Sequence, residues 1–227
     1  MKSIPRTRLA FAAVITTTTL LVAGCGDDTP ASNAVDATPA PSEATPSETT
    51  PSESTPAAPE PVPLTDHVVD ALPGFTADGV ATLTDLKAFA REHEKTVQEL
   101  KDSGMLEAAS LSFQPSGGEG FAMSIAASYA SPEQAEAEAA RLFAANSEPD
   151  PGTVVTPLEL AGIPGGQAIQ MTGKEGGLAF TGTEVVFVDG AVMHEVFAFA
   201  QDPLLSVEDV LAAATAVYEA VAGHPVG

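Results

Sequence analysis

The sequence has no tryptophan, two tyrosines and one cysteine among its 227 residues. A single cysteine excludes an intramolecular disulfide and any metal site built on paired cysteines. The apolar core must therefore stabilise the folded part by itself. The apolar stretch between Leu9 and Ala23 has about 15 residues, whereas a membrane-spanning helix needs about 20, so this stretch is too short to cross a bilayer.

Basic residues are also scarce, since nine lysines and arginines stand against 31 aspartates and glutamates, a net charge of −22. Residues 64–227 hold 24 acidic and six basic residues, a net charge of −18. This charge excludes nucleic acid as a partner because phosphates would be repelled, and it disfavours direct docking on anionic lipids. Two interpretations of the acidity stay open: solubility, or attraction of a cationic ligand, a basic partner or divalent metal ions.

Motifs of known chemistry are missing as well. The sequence contains no Gly-x-Ser-x-Gly elbow, no P-loop and no His-Glu-x-x-His helix. Serine is abundant, but no particular serine is marked as a nucleophile. We therefore predict no catalytic residue, no cofactor and no metal ion.

The N-terminus carries the most informative pattern in the chain. Three basic residues precede the apolar stretch, Lys2, Arg6 and Arg8. The stretch closes on the run Leu21-Val22-Ala23-Gly24-Cys25. This arrangement is typical of an export signal. Its last four residues, Val22-Ala23-Gly24-Cys25, resemble the lipobox of bacterial lipoproteins.

That resemblance implies that residues 1–24 are a signal peptide and that the mature chain begins at Cys25. It also implies a diacylglyceryl group on the Cys25 sulfur and a further acyl chain, such as palmitate, on the new N-terminus. Several acyl chains anchor stably, whereas one holds only marginally. The protein would then be attached to the cell membrane on its extracytoplasmic face. The alternative is an ordinary secretory signal that leaves Cys25 free.

A low-complexity segment follows at residues 25–63. Its part from Gly26 to Pro63 has nine prolines, many Ser, Thr, Ala and Glu residues, and no aromatic residue. Such a composition cannot bury enough apolar surface to offset its ordering entropy, so we predict a disordered linker. Fully extended at about 3.1 Å per residue, it would reach roughly 120 Å and act as a stalk. Its Thr-Pro pairs leave O-glycosylation open.

Residues 64–227 predict a single α+β domain. Apolar periodicity and capping residues favour three helices: Thr82–Ser103 with Thr82 as its cap, Ser131 to Ala144, and Ser206 to Ala222. Period-two alternation favours strands at Leu106–Phe113, Gly120–Tyr129, Thr153–Leu160, Gln167–Thr172, Glu184–Val188 and Ala191–Ala200, the last two joined by a turn at Asp189-Gly190. We therefore predict an antiparallel sheet built from hairpins, with about three helices packed on one face. Small exported lipoproteins of high-GC Gram-positive bacteria resemble this organisation, which implies no particular activity.

Five residues are candidates for a binding pocket: His93, Met123, His194, Glu195 and Phe197. His93 falls on the apolar stripe of its predicted helix, which is typical of a histidine at the edge of a core. His194 and Glu195 are adjacent on a strand and therefore point to opposite faces of the sheet. If Glu195 faces the helices beside Phe197, it would be a pocket acid with a raised pKa. The alternative is that Glu195 marks a sheet edge or a bulge. The residues that would line an apolar cavity or fill the core are Met123 and Phe197, together with Met171, Met193, Phe187 and Phe199.

The sequence thus predicts a lipid-anchored extracytoplasmic protein whose domain is a binding or interaction module at the cell envelope. Its partners would be the membrane, through the lipid on Cys25, and an envelope protein or small ligand of unknown identity. One alternative is a carrier of an apolar ligand, with a cavity lined by methionine and phenylalanine. The other is a cell-envelope hydrolase, which requires His93, His194 or Glu195 to converge with another polar residue in a cleft.

Overall fold

The computed structural model describes residues 62–201 and 205–224. The predicted signal peptide, the lipobox with Cys25 and the predicted linker up to residue 61 lie outside these residues. The described residues belong to one compact unit. After a 3-10 turn at Leu64–His67, the described residues form eight strands and four helices in the order β1 (Phe75–Ala77), β2 (Thr82–Thr84), α1 (Leu86–Glu92), α2 (Val97–Asp102), β3 (Met105–Pro115), β4 (Gly120–Tyr129), α3 (Pro132–Asn146), β5 (Val154–Leu158), β6 (Gln167–Glu175), β7 (Leu178–Asp189), β8 (Val192–Gln201) and α4 (Val207–Val221).

All eight strands belong to one antiparallel sheet. The strand order is β1-β3-β4-β8-β7-β6-β5, and β2 also pairs with β3. The α+β prediction is therefore confirmed. The predicted hairpin at Asp189-Gly190 is present, because Asp189 pairs with Val192 and Gly190 adopts a φ of 56° that glycine takes without strain.

The predicted helix over Thr82–Ser103 is wrong at its start. Thr82–Thr84 is strand β2, which pairs with β3. The cap is Asp85 instead of Thr82, since the Asp85 carboxylate accepts a hydrogen bond from the Ala88 amide at 2.8 Å. The cap of helix α1 consequently lies three residues later than the apolar periodicity indicates.

The same predicted helix is also interrupted between α1 and α2. The Lys95 amide donates to the Ala90 carbonyl at 2.8 Å, and Glu94 adopts a φ of 54°, as in a Schellman C-cap. Thr96 then begins a capping box, in which its hydroxyl accepts from the Glu99 amide and the Glu99 carboxylate accepts from the Thr96 amide. This Thr-x-x-Glu start signal divides an otherwise continuous apolar stripe into two short helices.

Helices α3 and α4 begin where the sequence predicts. In α3 the Ser131 hydroxyl accepts from the Gln134 amide at 3.4 Å, and in α4 the Ser206 hydroxyl accepts from the Asp209 amide at 3.3 Å. Helix α3 ends at Asn146, two residues beyond its predicted end. That last residue of α3 takes part in the candidate site.

Helices cover both faces of the sheet. Even-numbered residues of β4, such as Ala122 and Ala126, pack with α4 and residues 64–72 on what we call the α4 face. Odd-numbered residues, such as Ile125 and Ala127, pack with α1, α2 and α3 on what we call the α3 face. The expectation that the helices share one face is therefore wrong.

The physical reason lies in the small side chains on the α4 face of β4. The side chains on this face of β4 are small, and their sequence gives no strong apolar signal that would predict burial. They are Ala122, Ser124, Ala126 and Ser128. All four are buried in the structure, because their small size lets residues 64–72 approach the sheet closely. The Val69 amide donates to the Ser124 hydroxyl at 2.9 Å, which ties the two segments together.

Candidate functional site

Six side chains at one end of the α3 face make up what we call the aromatic surface: Phe121, Met123, Met171, Phe180, Phe197 and Phe199. The ring centroids lie 5.3 Å apart for Phe121 and Phe197, and 6.1 Å apart for Phe121 and Phe199. Phe180 and Phe199 are 5.1 Å apart. These separations are in the range of favourable aromatic contacts, so the four rings form one continuous cluster.

Pairing across strands builds this cluster. In one row of the sheet, Phe121 lies opposite Phe199, and Phe199 lies opposite Gly182. In the next row, Phe180 lies opposite Gly173, where a β-carbon would come within 2.8 Å of the Phe180 ring. Because both glycines lack a side chain, the neighbouring rings can spread over the bare backbone of the sheet.

The aromatic surface is open to solvent. Phe121 is 37% exposed, and the other five side chains are half-buried. Leu178, which is 55% exposed, extends the apolar area two residues before Phe180 on the same face of β7. Single apolar side chains are common on protein surfaces, but a contiguous cluster of this size is typical of an interaction site.

Two buried glutamates border the aromatic surface. Glu184 on β7 lies directly opposite Phe197, and Glu195 lies two residues before Phe197 on the same face of β8. Glu184 is fully buried and Glu195 is 9% exposed. The Asn146 side-chain amide, at the end of α3, donates to Glu184 Oε1 at 2.7 Å. The row of rings therefore ends at two carboxyl groups beneath α3.

Burial controls the protonation of both carboxyl groups. It raises the pKa of Glu184 to about 8, with the negative charge of Glu195 adding to the rise and the Asn146 hydrogen bond opposing it. Burial also raises the pKa of Glu195 to about 7, against the attraction of Lys95. Lys95 lies 3.1 Å from Glu138 Oε1 on α3 and forms an ion pair with it. Both buried glutamates are therefore largely neutral at mildly acidic pH.

Two buried acceptor atoms at this place have no hydrogen-bond partner among the described residues. They are Glu184 Oε2 and Asn146 Oδ1. An unsatisfied buried polar atom costs about 1–3 kcal/mol. Native proteins rarely keep such atoms without a functional reason. When Glu184 is ionised, the border between the rings and α3 can therefore accept hydrogen bonds from a donor group that enters it.

Three of the five predicted site residues lie together in the structure: Met123, Glu195 and Phe197. They share the α3 face, and Glu195 faces the helices, as the pocket-acid interpretation requires. His194 points to the α4 face instead. His93 lies at the C-terminal end of α1, where its ring stacks on Phe89 with centroids 4.0 Å apart.

His194 belongs to a separate buried cluster on the α4 face. Its Nδ1 lies 3.0 Å from the His67 carbonyl oxygen, and its ring stacks on Phe187 with centroids 4.3 Å apart. Burial lowers the pKa of His194 to about 3 and also lowers the pKa of His67. Both rings are therefore neutral over the physiological pH range, and they pack the 3-10 turn against the sheet.

The methionine and phenylalanine residues predicted to line a cavity are divided between the two faces. Met193 is buried under α3, and Phe187 belongs to the core of the α4 face. Sequence reasoning misses Glu184, although a signal exists: a charged residue opens the apolar run Val185-Val186-Phe187-Val188 of a strand. Asn146 carries no such signal, because its role depends on where α3 ends over the sheet.

Two further properties concern the part of the chain that the structure describes. Within residues 62–201 and 205–224, no three His, Cys, Asp or Glu side chains are grouped so that they could hold a metal ion. None of the helices in these ranges is both long enough and apolar enough to cross a membrane.

No protein-family model and no curated protein matches the sequence. Among solved structures, the chain is similar to the extracellular domain of PknH from Mycobacterium tuberculosis. The sequence identity is 10% and the TM-score is 0.43, over 64% of this chain and 86% of the other. A likeness at this level assigns no function, so function has to be inferred from the residues of the chain itself.

Proposed function

We propose that this protein is a lipid-anchored extracytoplasmic binding module whose aromatic surface holds a small apolar ligand at the cell envelope. The cluster of four contacting phenylalanine rings on the open end of the α3 face carries this proposal. None of the four rings is fully buried, and two half-buried methionines, Met123 and Met171, lie beside them. Covering them with a ligand would remove apolar area from water, which favours binding.

The hydrolase alternative has less support. It requires His93, His194 or Glu195 to converge with another polar residue in a cleft. His194 and Glu195 lie on opposite faces of the sheet, and His93 is stacked on Phe89 at the end of α1. The polar group that does lie beside Glu195 is Glu184, and both carboxyl groups are buried beneath α3, whereas the hydrolase alternative needs them in a cleft open to a substrate.

Replacing the lipobox cysteine tests the anchor. We expect the wild-type chain to fractionate with the membrane and to have a mass above that of residues 25–227 by its acyl groups. The Cys25→Ser variant should appear in the medium without added mass, because no thiol is left to carry the lipid. Cell fractionation and intact-protein mass spectrometry measure both results. A wild-type chain that carries no added acyl mass would contradict the anchor.

Nile red, an apolar dye without hydrogen-bond donors, tests the aromatic surface. We expect the full chain carrying Cys25→Ser to bind the dye with increased fluorescence. A further Phe121→Ala substitution should weaken binding about five- to tenfold, since the ring contacts both Phe197 and Phe199. Fluorescence titration measures both affinities.

The matched control is Leu83→Ala, which removes an apolar side chain that is 60% exposed on β2, away from the aromatic surface. Its dye affinity should equal that of the parent chain. Equal losses in the Phe121→Ala and Leu83→Ala variants would show that the dye binds apolar surface in general, and the proposed binding role of the aromatic surface would then be wrong.

A further inference from the structure

We infer that the ligand of the aromatic surface carries an amine, whose N–H groups donate to Glu184 and Asn146 while its apolar body lies on the phenylalanine rings. This inference rests on the proposed function and adds the chemistry of the ligand's head group. Three properties of the border between the rings and α3 carry it: the unpaired acceptors, the charge of the surroundings and the access to the carboxyl group.

The unpaired atoms at this border call for a donor. Glu184 Oε2 and Asn146 Oδ1 have no partner among the described residues, and both are acceptors when the carboxyl group is ionised. A primary ammonium offers three N–H donors and no acceptor. It can therefore satisfy both atoms and the negative charge of the carboxylate at once. A carboxylate or ester head group would place additional acceptor oxygens next to these two atoms and leave them without a donor.

The surroundings also favour a cation. Residues 64–227 hold 24 acidic residues against six basic ones, so the field of the domain attracts positive charge. Lys95 acts on Glu195, but its ammonium group already pairs with Glu138 at 3.1 Å. The faces of phenylalanine rings attract cations as well. The negative charge of the domain and the faces of the rings therefore both attract an ammonium group that approaches over the aromatic surface.

Glu184 lies at the end of α3, next to the rings. Asn146 is the last residue of α3 and is half-buried. Glu184 lies opposite Phe197 in the strand register, where β-carbons are about 5 Å apart. Because Asn146 holds the Glu184 carboxyl group at this end of α3, an amine on the rings would approach the carboxyl group beside the Asn146 side chain.

Binding of an amine should depend on pH. The ionisable groups around the glutamate pair are Lys95 before α2, Glu138 and Arg141 on α3, and Tyr129 on β4. Glu138 is held ionised by Arg141 and Lys95, and burial keeps Tyr129 neutral by raising its pKa. Glu184 is the group that the ammonium contacts, and an adjacent ammonium favours its ionised form. Amine binding near pH 7 should therefore release up to about one proton, and affinity should rise as the pH approaches 8.

Four probes with the same alkyl chain test this inference: decylamine, decyltrimethylammonium, decanol and decanoate, each below its self-association concentration. Displacement of Nile red from the full Cys25→Ser chain gives their affinities. We expect decylamine to bind most tightly, decyltrimethylammonium to bind less tightly because it has no N–H group, and decanoate to bind most weakly. The Glu184→Gln variant should lose about ten- to a hundredfold in decylamine affinity and keep its decanol affinity within about twofold.

Two controls make the result specific. Glu136→Gln removes an exposed carboxyl group from α3 and should leave all four affinities unchanged. Unchanged decanol binding shows that the Glu184→Gln variant still folds. Calorimetry of decylamine binding in two buffers of different ionisation enthalpy should show clearly less proton release in Glu184→Gln than in the parent chain.

The outcomes separate the two proposals. Equal affinities for decylamine and decanol, unaffected by Glu184→Gln, would overturn the amine inference and leave the aromatic surface as the binding site. Failure of Nile red and of all four probes to bind would overturn the proposed function itself. Tight decylamine binding that is lost with Glu184→Gln supports both.

Discussion

Raising the pH from 6 to 9 is expected to lower the free energy of unfolding by several kcal/mol. Folded Glu184 and Glu195 have pKa values raised to about 8 and about 7 by burial, whereas unfolded carboxyl groups ionise near 4.5. Between these values the folded state binds more protons than the unfolded state, so each group costs about 1.4 kcal/mol of stability per pH unit. Their stabilising contribution is complete below pH 4.5 and is lost once the pH exceeds the folded pKa values.

Glu184→Gln isolates this effect, because glutamine resembles the neutral carboxyl group and does not ionise. Urea unfolding of the full Cys25→Ser chain at pH 5.5, 7 and 9 should show the variant only about 1 kcal/mol more stable than the parent at pH 5.5. At pH 9 the variant should be more stable by a few kcal/mol. Glu136→Gln should follow the parent at every pH. If the parent and Glu184→Gln curves run parallel, the buried carboxyl group does not titrate as described.

The buried histidines set the acidic limit of the same pH profile. Burial lowers the pKa of His194 to about 3 and lowers that of His67, whereas unfolded histidine titrates near 6.5. Their contribution is complete above pH 6.5 and is lost as the pH falls toward the folded pKa. Between about pH 4.5 and 6.5 the histidine and glutamate effects oppose each other, so the stability maximum should be broad and mildly acidic.

Replacing Phe187 by alanine should cost about 3–5 kcal/mol of stability. Phe187 is 1% exposed, its ring stacks on His194, and it contacts Tyr218 of α4 edge-on at 5.8 Å. Its removal leaves a cavity between the sheet and α4 that rigid neighbours cannot fill. Urea unfolding of the full Cys25→Ser chain at pH 5.5 measures this loss.

The same change on the opposite face should behave differently. Phe121→Ala should cost less than about 1 kcal/mol, because Phe121 is already 37% exposed. It should weaken Nile red binding, whereas Phe187→Ala should leave binding by the remaining folded protein unchanged. Replacing Phe187 is thus expected to lower stability without changing binding, and replacing Phe121 to weaken binding with little loss of stability. A large stability loss for Phe121→Ala would place it in the core and contradict the aromatic surface as an open site.

Local signals in the sequence determined much of the fold. Ser131 and Ser206 mark the starts of α3 and α4 because a hydroxyl there satisfies a free amide of the first turn. Asp189-Gly190 marks a hairpin because a tight turn needs a residue tolerant of positive φ. The Thr96-x-x-Glu99 capping box is an equally local signal, and it divides the apolar stripe into α1 and α2. Each of these features acts within a few residues of chain.

The tertiary structure alone decided how the site is assembled. Strand alternation shows that His194 and Glu195 point to opposite faces, but only the packing of α3 and α4 shows that both faces are covered. Glu184 meets Asn146 across 38 positions of sequence, and their hydrogen bond depends on strand order and on the end of α3.

The sequence by itself therefore determined the acidity, the N-terminal pattern that predicts the lipid anchor, the α+β class and the starts of two helices. These depend on composition or on contacts within a single turn. The tertiary structure decided which phenylalanines stay exposed, which glutamates are buried together and which acceptors lack partners. Those properties depend on burial and register between distant segments, and such long-range pairing is not encoded in any local pattern.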